Sequence, residues 1–345
     1  MAHCTPGVRS SSPPLYVPCV TFAPEQNGLV EQRIGPLIAE HHAQRRLFYG
    51  MEILPRSRGK PVCLDFNRFL PILPMFVSMT WLGTNYWDVE PIDQVDSLQL
   101  ARHLAPRIPV MPHLTAYRLT DERLDQFLDL SFKNMLALRG DLMFSGQRFP
   151  HSKSIVERAK NRSGDKISIC VGGFPEGYNI TEGQAPDLTK HIQFLKEKVS
   201  AGVDCIITQV CYRPEVIIQF VKEVRAAGIT APIMIGIMTH QTFHKYTFIE
   251  KITSAKLPSL LRQELVQLQT EPEADEHLTR TFFVHHNVHI IKSILEADLN
   301  IYGFQFFTLN HFEAVEALLK ELHLQNLFSD KEKELQNSNK VLFEK

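Results

Sequence analysis

Short apolar runs alternate with amphipathic stretches along most of the chain. Eight runs are predicted as buried strands, because each is short and lacks the polar alternation of a half-exposed strand. They lie at Leu47–Ile53, Met75–Met79, Val110–Leu114, Met135–Leu138, Ile167–Val171, Cys205–Ile207, Ile233–Met238 and Gly303–Phe307. Helical periodicity fills the intervals and the region before the first run, at Leu29–Arg46, Asp121–Phe132, Ser152–Asn161, Leu188–Ala201 and Pro214–Ala227.

Strands that are repeatedly separated by helices predict a parallel sheet with crossover connections. Eight such units over residues 47–325 predict an α/β fold, a (β/α)8 TIM barrel in a single domain, with extra helices between strands 7 and 8. Those extra helices are expected at Phe243–Ala255, Ser259–Leu268 and Leu278–Ala297. A doubly wound sheet is the alternative, but no glycine-rich fingerprint follows the first strand.

The domain boundaries follow from composition. Residues 1–28 are rich in Pro, Ser and Gly and predict a flexible tail, residues 29–325 form the barrel, and residues 326–345 are a charged tail. The run Phe69–Met79 is too short for a membrane span and contains Pro71 and Pro74. No signal peptide is recognisable at the N-terminus, so we expect a cytoplasmic protein without membrane partners.

Charge and cysteine content narrow the function further. Lys and Arg total 37 against 38 Asp and Glu, which leaves no basic field for nucleic acid. The six cysteines are scattered and form no CxxC pair, so we interpret them as buried thiols in a reducing compartment.

Polar residues follow several predicted strands at their carboxyl ends, where a (β/α)8 barrel carries its active site. They are Glu52, Thr80, His113, Arg139, Asp141, Gln209 and Asn310. Each alone also fits a turn or a structural role, but their convergence on one rim would supply an acid or base, an anion-binding arginine and hydrogen-bond donors. Tyr117, Tyr178 and Tyr212 lie near strand ends and fit either ligand stacking or rim packing.

A metal site is a competing hypothesis. His285, His286 and His289 lie on one predicted helix, and two of them have the i, i+4 spacing of metal ligands. No HExxH pattern completes the set, so we predict solvent-facing imidazoles and no metal.

Six segments identify a resemblance to a known family: FVSMT, MPHLT, LALRGD, GGFPEG, LKEKVSAGVDCIITQ and FFTLN. In this order and spacing they resemble the catalytic domain of methylenetetrahydrofolate reductase, over roughly residues 47–325 and most strongly over 134–209. The resemblance implies an FAD-binding barrel that passes a hydride from NADH or NADPH through FAD to methylenetetrahydrofolate, giving methyltetrahydrofolate. Because the sequence ends near the barrel, we also expect it to lack the regulatory domain that eukaryotic members append and that binds S-adenosylmethionine.

The resemblance assigns roles to individual residues. Glu52 matches the general acid, which protonates a folate nitrogen so that the bridging ring opens, and a raised pKa would suit it. Asp141 matches the aspartate near the flavin and folate rings, and Gln209 the glutamine that contacts the substrate. The positions that match FAD contacts are Thr80, His113, Leu138, Arg139, Gly140, Asp141, Ser152, Phe174, Tyr178 and Lys198, with Arg139 and Lys198 suited to the pyrophosphate.

The chain also departs from the family pattern. His191 replaces an aspartate expected at the FAD ribose, with Asp187 one turn earlier as a substitute. Phe174, Tyr178, His151, Phe307 and His311 also replace the usual residues at their positions.

Two alternatives to the reductase remain. One is a diverged member that binds folate or flavin, or scaffolds another protein, without catalysis, and the other is a flavin barrel oxidoreductase with a different substrate. The retained Glu52, Asp141 and Gln209 favour the reductase. The sequence does not decide between NADH and NADPH, and it leaves open whether the chain forms a homo-oligomer.

Overall fold

The computed structural model describes residues 16–28, 30–81, 89–140, 146–177, 187–270 and 275–328. In chain order, its strands are β1 (Cys19–Thr21), β2 (Phe48–Ile53), β3 (Arg56–Ser57), β4 (Lys60–Pro61), β5 (Cys63–Asp65), β6 (Phe76–Met79), β7 (Val110–Thr115), β8 (Asn134–Leu138), β9 (Ser168–Gly173), β10 (Cys205–Thr208), β11 (Ile233–Met238) and β12 (Gly303–Phe307). Strands β2 and β6 to β12 form a closed barrel in which every neighbouring pair is parallel and β12 closes on β2. All eight predicted core strands are therefore confirmed, and so is the (β/α)8 class.

The helices lie between the barrel strands, as the periodicity predicts. They are α1 (Ile34–Ala43), α2 (Asp96–Leu104), α3 (Asp121–Asp129), α4 (Ser152–Ser163), α5 (Leu188–Ser200), α6 (Pro214–Ala226), α7 (Phe243–Thr253), α8 (Ser259–Gln267), α9 (Asp275–Glu296) and α10 (Phe312–Leu324). Helices α7, α8 and α9 occupy the interval between β11 and β12, which confirms the extra helices there. The connection from β2 to β6 instead carries the hairpin β3–β4, the short strand β5 and a 3₁₀ turn.

Alternating residues of the barrel strands face two different cores. Outward residues such as Met51 and Val77 pack against the helices, whereas Phe48 and Phe76 point into the barrel. Gly50 lies between them in the interior, where a Cβ atom would overlap the Phe76 ring. The interior is therefore filled by side chains and is not a channel.

Helix α1 closes the amino-terminal end of the barrel. Ile34 and Ile38 pack into the interior cluster, and the Ile34 N–H donates to Asn134 Oδ1 at 2.6 Å. The Gly35 N–H donates to Ser168 Oγ at 3.1 Å. Because this end is plugged, a ligand reaches the interior from the carboxyl ends of the strands.

Described residues inside both predicted tails contact the rest of the domain. Within residues 1–28, β1 pairs in parallel with β5, and the buried Tyr16 hydroxyl donates to Pro55 O at 2.7 Å. At the other end, Phe328 is buried beside the rings of Tyr49 and Phe304. These contacts join residues far apart in sequence, so local composition carried no signal for them.

The interpretation of all cysteines as buried thiols is wrong for two of them. Cys4 lies outside the described residues, Cys170, Cys205 and Cys211 are buried, and Cys19 and Cys63 are exposed. Within the described ranges, no helix combines the length and apolarity needed to cross a bilayer.

Candidate active site

Glu52 lies at the carboxyl end of β2 and points into the barrel mouth. It follows Phe48 and Gly50 on the inward face of the strand, and Thr308 Oγ1 fixes its backbone by donating to Glu52 O at 2.6 Å. Removal from water raises the pKa of its carboxyl from 4.5 to about 8. At neutral pH most of this side chain is therefore protonated and can donate a proton.

Neutral polar groups line the strands beside Glu52. Gln305 Nε2 donates to Ser78 Oγ at 3.1 Å, across the barrel interior. Burial lowers the pKa of His113 to about 3, so its imidazole is neutral. Among the described residues, the buried atoms Thr80 Oγ1, His113 Nε2 and Gln305 Oε1 have no hydrogen-bond partner. Unpaired polar atoms in an interior are costly, which indicates that a polar ligand completes this wall.

Gln209 follows β10 on the same rim. Its backbone N–H donates to Gly173 O at 2.7 Å, and its side-chain Oε1 accepts from Val210 N at 2.8 Å. These two bonds hold the amide at the end of the strand.

The turn after β8 brings Leu138, Arg139 and Gly140 to the rim. Leu138 packs against the interior cluster. Gly140 has φ +84°, in the left-handed region, and a Cβ there would lie 3.4 Å from Thr115 Cβ. Glycine is thus favoured at this position by the backbone conformation and not by lack of space, because a Cβ would have room there.

Three basic side chains gather beside this turn. Burial and, to a smaller extent, the charge of Arg139 lower the pKa of Lys198 to about 8. Burial, Arg139 and Lys198 together lower the pKa of His151. Ser152, buried at the start of α4, places the amino end of that helix next to His151. The positive charges of Arg139 and Lys198, beside the amino end of α4, form a site for an anion with several negative oxygens.

His191 has a structural role that its sequence position does not reveal. Its Nε2 accepts the Phe174 N–H at 2.9 Å, and burial lowers its pKa to about 3. The imidazole is neutral and holds the end of β9. Asp187 caps α5, because its Oδ1 accepts a hydrogen bond from the Lys190 N–H at 3.0 Å. This oxygen is therefore already bonded to the backbone of α5.

Other predicted rim residues divide into three groups. Asp141 and Tyr178 lie outside the described residues. Asn310 has a structural role, since its side chain donates to Leu54 O and accepts from Leu54 N, both at 2.9 Å. The Tyr212 hydroxyl packs inward and lies 2.6 Å from Nε2 of His240.

The histidines of α9 differ in their surroundings. His285 and His289 are exposed, as expected for an outer helix. His286 is buried, with Nε2 2.9 Å from Tyr212 O, and this corrects the prediction that it faces solvent. No His, Cys, Asp or Glu group in the described part of the chain has an arrangement that could hold a metal ion.

Ser78 and Gln305 were missed as site residues from the sequence. Each is the single polar residue of an otherwise apolar strand, FVSM and GFQFF. A polar residue at an inward position of a barrel strand was the available signal.

The polar and basic residues of the rim match the chemical groups of FAD. A flavin ring system offers several hydrogen-bonding edges, which match the unpaired Thr80 and His113 atoms, and a pyrophosphate matches the cluster of Arg139, Lys198 and His151. The residues present therefore fit the cofactor.

Comparisons with known proteins agree with this architecture. A model of the family described as methylenetetrahydrofolate reductase matches residues 37–323. Methylenetetrahydrofolate reductase 2 of Schizosaccharomyces pombe is 32% identical over 271 residues, covering 72% of this chain and 40% of that protein. The probable NADH-dependent enzyme of Oryza sativa subsp. japonica is 26% identical, covering 83% of this chain and 50% of that protein.

A solved structure shares the fold. It is an uncharacterized protein from Clostridium thermocellum that binds two copies of 5-methyl-5,6,7,8-tetrahydrofolic acid, with a TM-score of 0.56 and 14% identity. The alignment covers 83% of this chain and 98% of that one. The chain spans about half the length of the curated relatives it matches. On the family match across most of its barrel, the chain belongs to the methylenetetrahydrofolate reductase family.

Proposed function

We propose that this chain is a flavin-dependent methylenetetrahydrofolate reductase, which converts 5,10-methylenetetrahydrofolate to 5-methyltetrahydrofolate with NADH or NADPH as reductant. The observation that carries the proposal is the position of the Glu52 carboxyl at the barrel mouth, where removal from water raises its pKa to about 8. Family membership supplies the reaction class, and the geometry supplies the acid that this reaction needs.

Glu52 acts as the general acid. Methylenetetrahydrofolate accepts a hydride only after its bridging five-membered ring opens, and protonation of a ring nitrogen makes that opening possible. A carboxyl with a pKa near the working pH is protonated before the reaction and still acidic enough to give up its proton. The plugged amino end of the barrel keeps bulk water away from the acid on one side.

FAD, when bound, relays the hydride from the nicotinamide to the folate. Thr80, His113, Leu138 and Gly140 would hold its ring system. The basic cluster, with Ser152, would hold its pyrophosphate. Phe174 is positioned by the bond from its backbone to His191, so the histidine at the expected aspartate position supports the pocket rather than binding the ribose.

Gln209 and Asp141 are proposed to bind the folate. The backbone N–H of Gln209 donates to Gly173 O at the end of β9, and this hydrogen bond holds the residue at the rim of the barrel. Asp141 follows Gly140 directly in the sequence, and its contribution to the proposal rests on the family match alone.

The remaining parts of the proposal are the nicotinamide nucleotide and the cellular compartment. Some relatives are named as NADH enzymes and others as NADPH enzymes, such as the probable methylenetetrahydrofolate reductase (NADPH) of Caenorhabditis elegans. The proposal therefore includes both nucleotides as reductants. We also propose that the enzyme acts in the cytoplasm; the proposal holds for a monomer and for a homo-oligomer.

The absorption spectrum of the purified chain tests the proposal. An oxidised-flavin spectrum should bleach with NADPH or NADH without air and return when methylenetetrahydrofolate is added. Glu52→Gln separates the roles: flavin should stay bound and be reduced by the nucleotide, while folate reduction collapses. A chain that cannot be loaded with FAD would refute the proposal and favour a non-catalytic binding role.

A further inference from the structure

Cys19 and Cys63 face each other on the outside of the barrel. They are register partners in the parallel pair β1–β5, and the Cys19 N–H donates to Val62 O at 2.9 Å. Neighbouring strands lie about 4.8 Å apart, within the Cα separation that a disulfide spans. The two thiols also hydrogen-bond to each other, which raises the pKa of Cys63.

A second cysteine pair in the chain provides an internal comparison. Cys170 and Cys205 are also register partners, on β9 and β10, and their thiols also hydrogen-bond. Both are fully buried in the barrel interior. Reaction of a thiol with a dissolved disulfide requires access as well as proximity. The exposed pair has both properties, and the buried pair has proximity alone.

We propose that Cys19 and Cys63 are a redox modification site, which forms a reversible disulfide by exchange with a low-molecular-weight disulfide such as glutathione disulfide. One thiolate attacks a sulfur of glutathione disulfide, so that a mixed disulfide forms and one glutathione leaves. The second protein thiolate then attacks the protein sulfur of the mixed disulfide and releases the second glutathione. The protein loses two protons and two electrons, and the two glutathione molecules carry them away as thiols.

The disulfide would fasten the N-terminal segment to the chain that follows Glu52. Strand β1 has only three residues, and the bond from Tyr16 to Pro55 is a further tie between these segments. A covalent bond here closes a loop from residue 19 to residue 63, which contains α1 and β2. Oxidation should therefore stabilise the barrel and slow local opening of this connection.

Mass spectrometry of the whole chain tests the site. The purified protein is equilibrated with glutathione buffers of increasing oxidised fraction, its free thiols are alkylated, and the digest is analysed. We expect a linked pair of peptides containing Cys19 and Cys63, lost again on reduction, while Cys170 and Cys205 become alkylated only after unfolding. Separate glutathione adducts on Cys19 and Cys63 without the linked pair, or no reaction in oxidised buffer, would overturn the proposal.

Two variants and a second readout complete the experiment. Cys63→Ser should trap a glutathione adduct on Cys19, and Cys4→Ser should leave the linked pair unchanged; a link that disappears with Cys4→Ser refutes the assignment. Both Cys19 and Cys63 are exposed, so Cys63→Ser should fold. Oxidation should raise the Tm of the wild type by about 5 °C, reversibly, and should not raise that of Cys63→Ser. Equal Tm shifts in both proteins would contradict the disulfide.

Discussion

Glu52→Gln should change how the stability of the protein depends on pH. The carboxyl is an acid that the fold keeps protonated, because burial raises its pKa from 4.5 to about 8. Between these two values the folded state binds a proton that the unfolded state releases. The stability contributed by this difference falls as pH rises, and the glutamine variant lacks the titrating group.

The size of the effect follows from the two pKa values. Each pH unit between 4.5 and about 8 costs about 1.4 kcal/mol of folding free energy, and the whole interval costs about 5 kcal/mol. The value for the whole interval is an upper limit, because Glu52 is only partly buried and its remaining contact with water screens the charge of the carboxylate. We expect the variant to gain about 3 kcal/mol relative to the wild type between pH 5 and pH 8.

Urea unfolding at several pH values measures this difference. The contributions of the other titrating groups to the free energy of unfolding cancel when the wild type and the variant are compared at each pH in the same cofactor state. Glu122→Gln, which removes an exposed carboxylate by the same substitution, is the matched control. If the Glu52→Gln difference changes by less than about 0.5 kcal/mol over this range, burial does not keep the carboxyl protonated and the general-acid role loses its basis.

Three further substitutions test the pocket. Lys198→Gln should weaken FAD binding about tenfold to a hundredfold in a flavin fluorescence titration, whereas the exposed Lys196→Gln should not. Because the pKa of Lys198 is lowered to about 8, wild-type FAD affinity should fall as pH rises above that value, and this dependence should be absent in Lys198→Gln. Gly50→Ala should destabilise the fold by about 1–3 kcal/mol in urea, because the new Cβ overlaps the Phe76 ring; unchanged stability would mean that the interior is not packed as described. His191→Ala should lower the free energy of unfolding by about 1–3 kcal/mol, because it removes the Nε2 atom that accepts the Phe174 N–H. A loss of FAD affinity larger than this loss of stability would instead indicate direct cofactor contact.

The sequence alone determined the barrel and indicated the end at which the candidate site lies. The eight predicted strands, including Ile233–Met238, coincide with or overlap the observed ones. A buried parallel strand is a short run of apolar residues, and this run can be recognised in the local sequence without knowledge of tertiary contacts. Arg139 was identified for the same reason, since a charge that directly follows such a run must lie at an open edge. Glu52 was identified as the polar residue near the end of the first run. The roles of both residues are predictions from the family resemblance, and the chain's membership of that family is confirmed.

Tertiary structure decided what depends on contacts between distant residues. The sequence shows that Glu52 is a carboxyl, but its pKa depends on how much water the closed barrel removes. His191 looks like a lost ribose ligand in sequence, yet the fold turns its ring toward the Phe174 backbone. Cys19 and Cys63 are 44 positions apart and meet only because β1 and β5 pair in this register. Hydrophobic periodicity records which face of an element is buried, whereas burial depth, hydrogen-bond partners and strand register arise only when the elements pack.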